Sequence, residues 1–317
     1  MAPSNAVSAD RKKVFSHRWF VELKKQRRLQ FIMIPAIIWA IAMFYLPIFG
    51  NVIAFQDYEI YKGFMGSPWV GLKHFKSFFS SEFTILLIRN TLAMSLLNLI
   101  FGTLSAIVFA LLINEMLAGF YKKAIQTVSY LPHFISMAVC ANIFIQLLGS
   151  SGPVNQLMIF LGIIEDSFPF LQKEKLFWVI ITIQSIWKSV GWSAIIYLAA
   201  ISGISEEIYE AAYVDGAGRF RRIWHITLPG IFPTIAVLLI MNSGYIIQGG
   251  LEQQLLMFNP MVMDYAEVIN TYVYKRGIGG AQYSFATAVG MFQSVVSITL
   301  LIIVNKTSKK LASIGLW

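Results

Sequence analysis

Lys188 stands midway along an otherwise apolar stretch, where an ammonium is costly and marks a functional or paired position. On a helix, Gln184, Trp187, Lys188, Gly191 and Trp192 fall at i, i+3, i+4, i+7 and i+8, which is one face. An amide and an amine hydrogen-bond hydroxyls or a carboxylate, and an indole stacks on the apolar C–H face of a pyranose. Asn242, Tyr245 and Gly249 make a second stripe of the same character further along. The two stripes predict the walls of a path for a sugar. A structural alternative stands beside this one: Lys188 pairs with helix carbonyls or a neighbouring subunit, and the indoles are packing.

Other chemistry lacks its parts. His17, His74, His133 and His225 have no metal-ligand spacing, and a single cysteine, Cys140, allows neither an internal disulfide nor a thiolate metal site. No Gly-x-x-x-x-Gly-Lys-Ser/Thr phosphate loop occurs, so the chain is not expected to bind ATP in the usual way. Asp57 and Glu59 have no matching acid in a shared stretch, and no nucleophile constellation is legible. Neither an enzyme nor a resident cofactor or metal is expected.

The elements that must position the stripes are membrane helices. Only 13% of the residues are charged and 57% are hydrophobic, against roughly 25% charged in an ordinary soluble protein. Six runs reach the roughly 20 apolar residues that cross a bilayer, at 29–55, 85–113, 124–148, 176–201, 231–247 and 284–304. They are continuously apolar rather than alternating, which selects helices over a barrel. The first run is longer than the 7–15 apolar residues of a cleavable signal, so it reads as an uncleaved helix. The expected fold is therefore all-α with six transmembrane helices.

Charge sets the orientation. With the N-terminus in the cytosol, sixteen Lys and Arg fall inside: eight from Arg11 to Arg28, then Lys122, Lys123, Arg219, Arg221, Arg222, Lys306, Lys309 and Lys310. Seven fall outside, and Arg89 and Lys188 lie within spans. The formal charge of +9 is thus a topology signal that needs no nucleic acid. This predicts a basic cytosolic segment 1–28, a six-span transmembrane domain 29–305 and a cytosolic tail 306–317.

The cytosolic loop 202–230 carries the most local information. Ser205 is placed to cap a helix, with Glu206 and Glu207 in its first turn. Ile208, Ala211 and Ala212 make a small-residue face, and Asp215-Gly216 breaks the helix. A second short amphipathic piece carries Phe220, Ile223 and Trp224, and Leu228-Pro229 ends it before the fifth span. Such a helix–turn–helix suits the grip of a soluble partner. The plain alternative is a passive loop among lipid headgroups, with its arginines on anionic lipid.

Glu210, Ala211, Ala212, Asp215, Gly216, Ala217, Ile226, Leu228 and Pro229 fit Glu-Ala-Ala, two residues, Asp-Gly-Ala, eight residues, Ile, one residue, Leu-Pro. This resembles the coupling motif of binding-protein-dependent ABC importer permeases at all nine positions. Trp69 to Phe75 and Asn90-Thr91 are similar to sugar-importer permeases, and Leu131 to Ser136, Asn259-Pro260 through Thr271 to Tyr274, and Tyr283 to Gly290 are similar to the polysaccharide-type branch, which includes alginate-oligosaccharide importers. The resemblance implies a type I permease whose coupling helices sit in a groove on the ATPase, with Glu210 through Ala217 as the contact. It also implies a second homologous permease, two ATPase subunits that hold ATP and magnesium, and an extracytoplasmic sugar-binding protein on the outer loops. The rival from another class is an ion-coupled carrier or membrane scaffold acting without an ATPase. Carriers show inverted repeats, and none is legible here.

Overall fold

The structure, a computed structural model, describes residues 26–312 together with Ile314 and Gly315. The basic segment expected at 1–28 lies outside the described residues up to position 25. Among the described residues the regular structure is helical, apart from one isolated antiparallel bridge between Gln56 and Trp69. Among the described residues six helical stretches are long and apolar enough to span a membrane: Arg28–Phe55, Thr84–Glu115, Met137–Phe160, Glu174–Ser202, Arg219–Ser243 and Tyr283–Lys310, the third made of two helices, Met137–Leu148 and Pro153–Phe160.

The second, fourth and fifth spans form the frame. Ala106, Ala110, Ala194, Tyr197, Ile201 and Ile231 bury together at the end nearest the 202–230 loop. Small residues there let helix backbones approach closely, which is how helices associate where lipid removes the hydrophobic drive. At the opposite end Met94, Phe177, Ile181 and Met257 make one apolar cluster. Phe78, Leu87, Ile247, Ile269 and Phe285 make another. The first span stands apart. Phe31, Ile32, Phe44 and Phe49 are all exposed, and only its last turns reach the sixth span.

Two expectations about the spans change. The run expected as one helix at 124–148 is two helices, Phe120–Phe134 and Met137–Leu148. Ile135 and Ser136 adopt extended backbone between them, and the Ser136 hydroxyl accepts from the Val139 N–H. Pro132 does not make the break, because it sits inside the first helix. The break is stabilised from outside, by Lys188.

The second change concerns Pro229. It does not separate the loop from the fifth span, since helix runs without interruption from Arg219 to Ser243. Residues Ile223–Thr227 form a π turn, in which the Leu228 N–H donates to the Ile223 carbonyl. The wider turn accommodates a residue with no N–H of its own at the next position. The helix then stops at Ser243 rather than near 247, with Gly244 as its cap, so Tyr245 lies in the following turn.

Candidate functional site

A cavity of about 400 Å³ lies between the second, fourth and fifth spans. Trp192, Asn242 and Tyr245 line it, so the two stripes meet there. Sequence reasoning missed the second span's share: Ser95, Asn98 and Thr103 face the same space. Their signal was a run of polar residues at helical spacing in a span otherwise read for hydropathy. A smaller cavity of about 110 Å³ adjoins it, sharing Ser95, Asn98 and Gly249.

The fourth-span stripe divides among three neighbours. The five stripe residues from Gln184 to Trp192, at 100° per residue, cover an arc of about 140°, too wide to face one partner. Gln184 is fully buried and its side-chain oxygen accepts from Gln253 Nε2 at 2.9 Å. Trp187 meets Phe144 edge to face, 5.8 Å between ring centres. Lys188 Nζ donates to the carbonyls of Pro132 (3.3 Å), His133 (3.1 Å) and Ile135. These carbonyls lie at and just past the end of the 120–134 helix, where the Pro132 carbonyl also accepts from the Ile135 N–H, and a cation there complements the helix dipole. The helix-carbonyl alternative for Lys188 is therefore the arrangement found.

The same junction fixes Trp192. Its indole stacks on His133 with ring centres 4.6 Å apart and planes 2° from parallel. At the preceding residue, a Cβ on Gly191 would fall 2.1 Å from the Ser129 carbonyl oxygen, so only glycine lets the 120–134 helix pack this closely. The junction at 135–136, Lys188, Gly191 and His133 together hold Trp192, which lines the cavity.

At the other end of the fifth span, Glu206–Val214 and Arg219–Arg222 flank the turn 215–218. Gly216 has φ +74°, its N–H donates to the Tyr213 carbonyl (3.0 Å), and the Ala217 N–H donates to the Ala212 carbonyl (2.9 Å). That pair is a Schellman cap, which needs a residue tolerant of the left-handed region at this position. Ser205 occupies the N-cap position without a side-chain cap bond. The Tyr209 hydroxyl meets the buried Thr227 hydroxyl at 2.9 Å, and the Arg219 guanidinium lies 3.8 Å from the Glu115 carboxylate. Glu210, Ala211, Asp215 and Gly216 are exposed, and Ala212 and Ala217 are half-buried. Around them Val214, Phe220 and Trp224 are exposed apolar surface.

The segment opposite, 244–282, is built the other way. Asn90 is fully buried and donates to the carbonyls of Asp264 (3.0 Å) and Glu267 (2.8 Å). Thr91 accepts from the Ile269 N–H, and Trp178 Nε1 donates to the Tyr265 carbonyl. Arg89, expected within a span, lies at this rim with its guanidinium over the Tyr265 ring. Glu267 is 7% exposed and pairs with Lys275 at 2.6 Å. Beside this segment, a hydrogen bond from Lys73 holds the Asp57 carboxyl below its ordinary range, and His74 adds to it.

A sequence profile described as "Binding-protein-dependent transport system inner membrane component" matches residues 98–311, about two thirds of the chain. The chain belongs to this family: it is an inner-membrane permease subunit of an ABC importer, not an enzyme. Among its relatives is YteP of Bacillus subtilis, a polygalacturonan/rhamnogalacturonan transport system permease protein. YteP is 40% identical over 307 residues, 96% of this chain and 95% of that one. A solved bacterial ABC transporter involved in import of the acidic polysaccharide alginate superposes at TM-score 0.85, with 40% identity. It covers 93% of this chain and 99% of its own. A second structure, of a bacterial alginate ABC transporter with an alginate pentasaccharide-bound periplasmic protein, matches at TM-score 0.85 and 39% identity. It covers 94% of this chain and all of its own.

Proposed function

We propose that this chain forms half of the translocation path of an ATP-driven importer for acidic, uronate-containing oligosaccharides. The observation that carries this reading is the exposed helix–turn–helix continuous with the fifth span, which ends at the cavity through Asn242 and Tyr245. Glu210, Ala211, Ala212, Asp215, Gly216 and Ala217 are the contact for an ATPase subunit, and both chain termini lie in the cytosol. A second homologous permease supplies the other half of the path. Two ATPases bind ATP with magnesium, and a periplasmic binding protein delivers the sugar to the opposite rim. The polygalacturonan and alginate relatives support an acidic oligosaccharide as cargo.

In this reading Trp192, Asn242 and Tyr245 meet the sugar. Gln184, Trp187 and Lys188 hold the wall in place. An ion-coupled carrier would work as one purified chain. An importer permease draws its driving force from partner ATPases.

The test is to purify the tagged chain from native membranes, identify its partners, and measure ATP hydrolysis with alginate and galacturonate oligomers. Two ATPases and a second permease, with hydrolysis stimulated by an acidic oligomer, are expected. An intact chain that purifies alone and transports alone would overturn the proposal. Trp192→Ala should cut uptake several-fold with assembly unchanged, whereas Lys188→Met should lower uptake and thermal stability together.

A further inference from the structure

Resting on the carbohydrate-path reading, the smaller cavity carries a second, finer assignment. Its wall carries hydroxyls and amides, among them Thr91, Ser95, Asn98, Thr182, Ser185 and Gln254, beside the apolar Met94, Ile181 and Val268, and no charged side chain lines either cavity. Its volume of about 110 Å³ is several times the roughly 10–15 Å³ that one water needs. Gln254 is 4% exposed, and its side-chain oxygen has no hydrogen-bond partner among the described residues. Its nitrogen reaches only the Met94 sulfur, at 3.7 Å.

The backbone is arranged to put that amide there. Gly250 is left-handed, with φ +66°, and a Cβ on it would fall 2.2 Å from Gln254 Oε1. Only glycine leaves room for the amide to fold over the turn. A buried acceptor without a donor is the costly state of a polar group, so the site favours a ligand that brings donors. Gln253 beside it is already committed, donating to the Ile181 carbonyl and to Gln184.

We propose that the smaller cavity is a subsite for the hydroxyl face of one sugar residue, with Gln254 Oε1 accepting from a ring hydroxyl. The neutral wall offers a carboxylate no counter-charge, and Gln254 Oε1 offers it only a second acceptor. This chain therefore reads the hydroxyls that all its oligosaccharides share, and selection for the acidic group falls to other subunits. Gln254 is then a specificity-determining residue for hydroxyls rather than for charge.

The experiment uses the complete importer reconstituted in proteoliposomes with its binding protein, comparing uptake of an alginate oligomer by the parent and by Gln254→Met. Loss of one neutral hydrogen bond predicts kcat/KM for uptake lower by about three- to tenfold, with ATP hydrolysis without sugar and thermal unfolding unchanged. Should Gln254→Met fail to assemble, Ser185→Ala decides, since it removes only a lining hydroxyl and predicts a loss of about two- to threefold. Unchanged uptake in the assembled variant would overturn the subsite while leaving the importer reading intact. A parent complex that takes up neither alginate nor galacturonate oligomers would instead overturn the carbohydrate reading beneath it.

Discussion

The two ends of the permease use polar residues in opposite ways. In and around the 244–282 segment they are turned inward: Asn90, Thr91, Trp178, Asn259, Asn270 and Gln293 all donate to or accept from groups distant in sequence. In the 202–230 loop such contacts are few, chiefly Tyr209 to Thr227 and Arg219 to Glu115, while Val214, Phe220 and Trp224 stand in the open. Exposed apolar surface of this kind is what an interaction site presents. The difference teaches that one end is closed by its own polar contacts, while the other leaves apolar surface open, as the proposed ATPase contact requires.

Substitutions can break or sharpen that contrast. The largest effect is expected from Gly216→Arg, which strains the left-handed turn and adds bulk and charge to the exposed face. Sugar-stimulated ATP hydrolysis should fall more than tenfold in the assembled importer, while thermal stability of the isolated chain drops only by the roughly 1–2 kcal/mol of a left-handed residue. Stimulation that survives would erase the functional half of the contrast.

Asn90→Ala tests the opposite end. It strips the Asn90 donor from the Glu267 carbonyl in a buried bond, while the Asp264 carbonyl keeps the Arg89 guanidinium, and it should cost about 1–3 kcal/mol, read as a lowered Tm in detergent, with stimulation per folded complex near normal. A variant that kept its stability but lost stimulation would reverse the assignment of the two ends. Tyr209→Phe should cost about 1 kcal/mol, because it removes one hydrogen bond on the buried Thr227.

The smallest effect is an acid response at the outer rim. Asp57 has its folded pKa depressed, mainly by the Lys73 hydrogen bond, so its contribution is present above the ordinary carboxylate value. It is lost as pH falls below that value and through the folded one. Amide exchange around 56–75 should quicken over that acidic window, and Lys73→Met should flatten the response. The effect is modest because the pair is solvent-exposed.

What the sequence made legible was local. Hydropathy located six spans, and the Glu-rich turn, Gly216 and their spacing located the loop, because each signal lies within a few residues of the structure it makes. The 244–282 segment was read only as a long loop, since its helices are short and its anchors are remote: Asn90 bonds to residues more than 170 positions away. The break at 135–136 had one local sign, the cap Ser136, while the lysine that stabilises it is more than 50 positions on. The stripe around Lys188 was correctly seen as polar and wrongly seen as facing one way. Helical spacing fixes which residues share a face, but which neighbour each meets is set by packing.

The unbroken helix from Arg219 to Ser243 has a mechanical consequence. Its 25 residues make a rod of about 37 Å, with a π turn rather than a joint where Pro229 predicted a stop. Pro233 inside it removes one intrahelical bond, but the helix stays unbroken, so a 5° swing imposed on the end that carries Arg219 moves the far end by about 3 Å. That is the width of a hydrogen bond. On the proposed reading of the 202–230 loop as an ATPase contact, the fifth span is the lever.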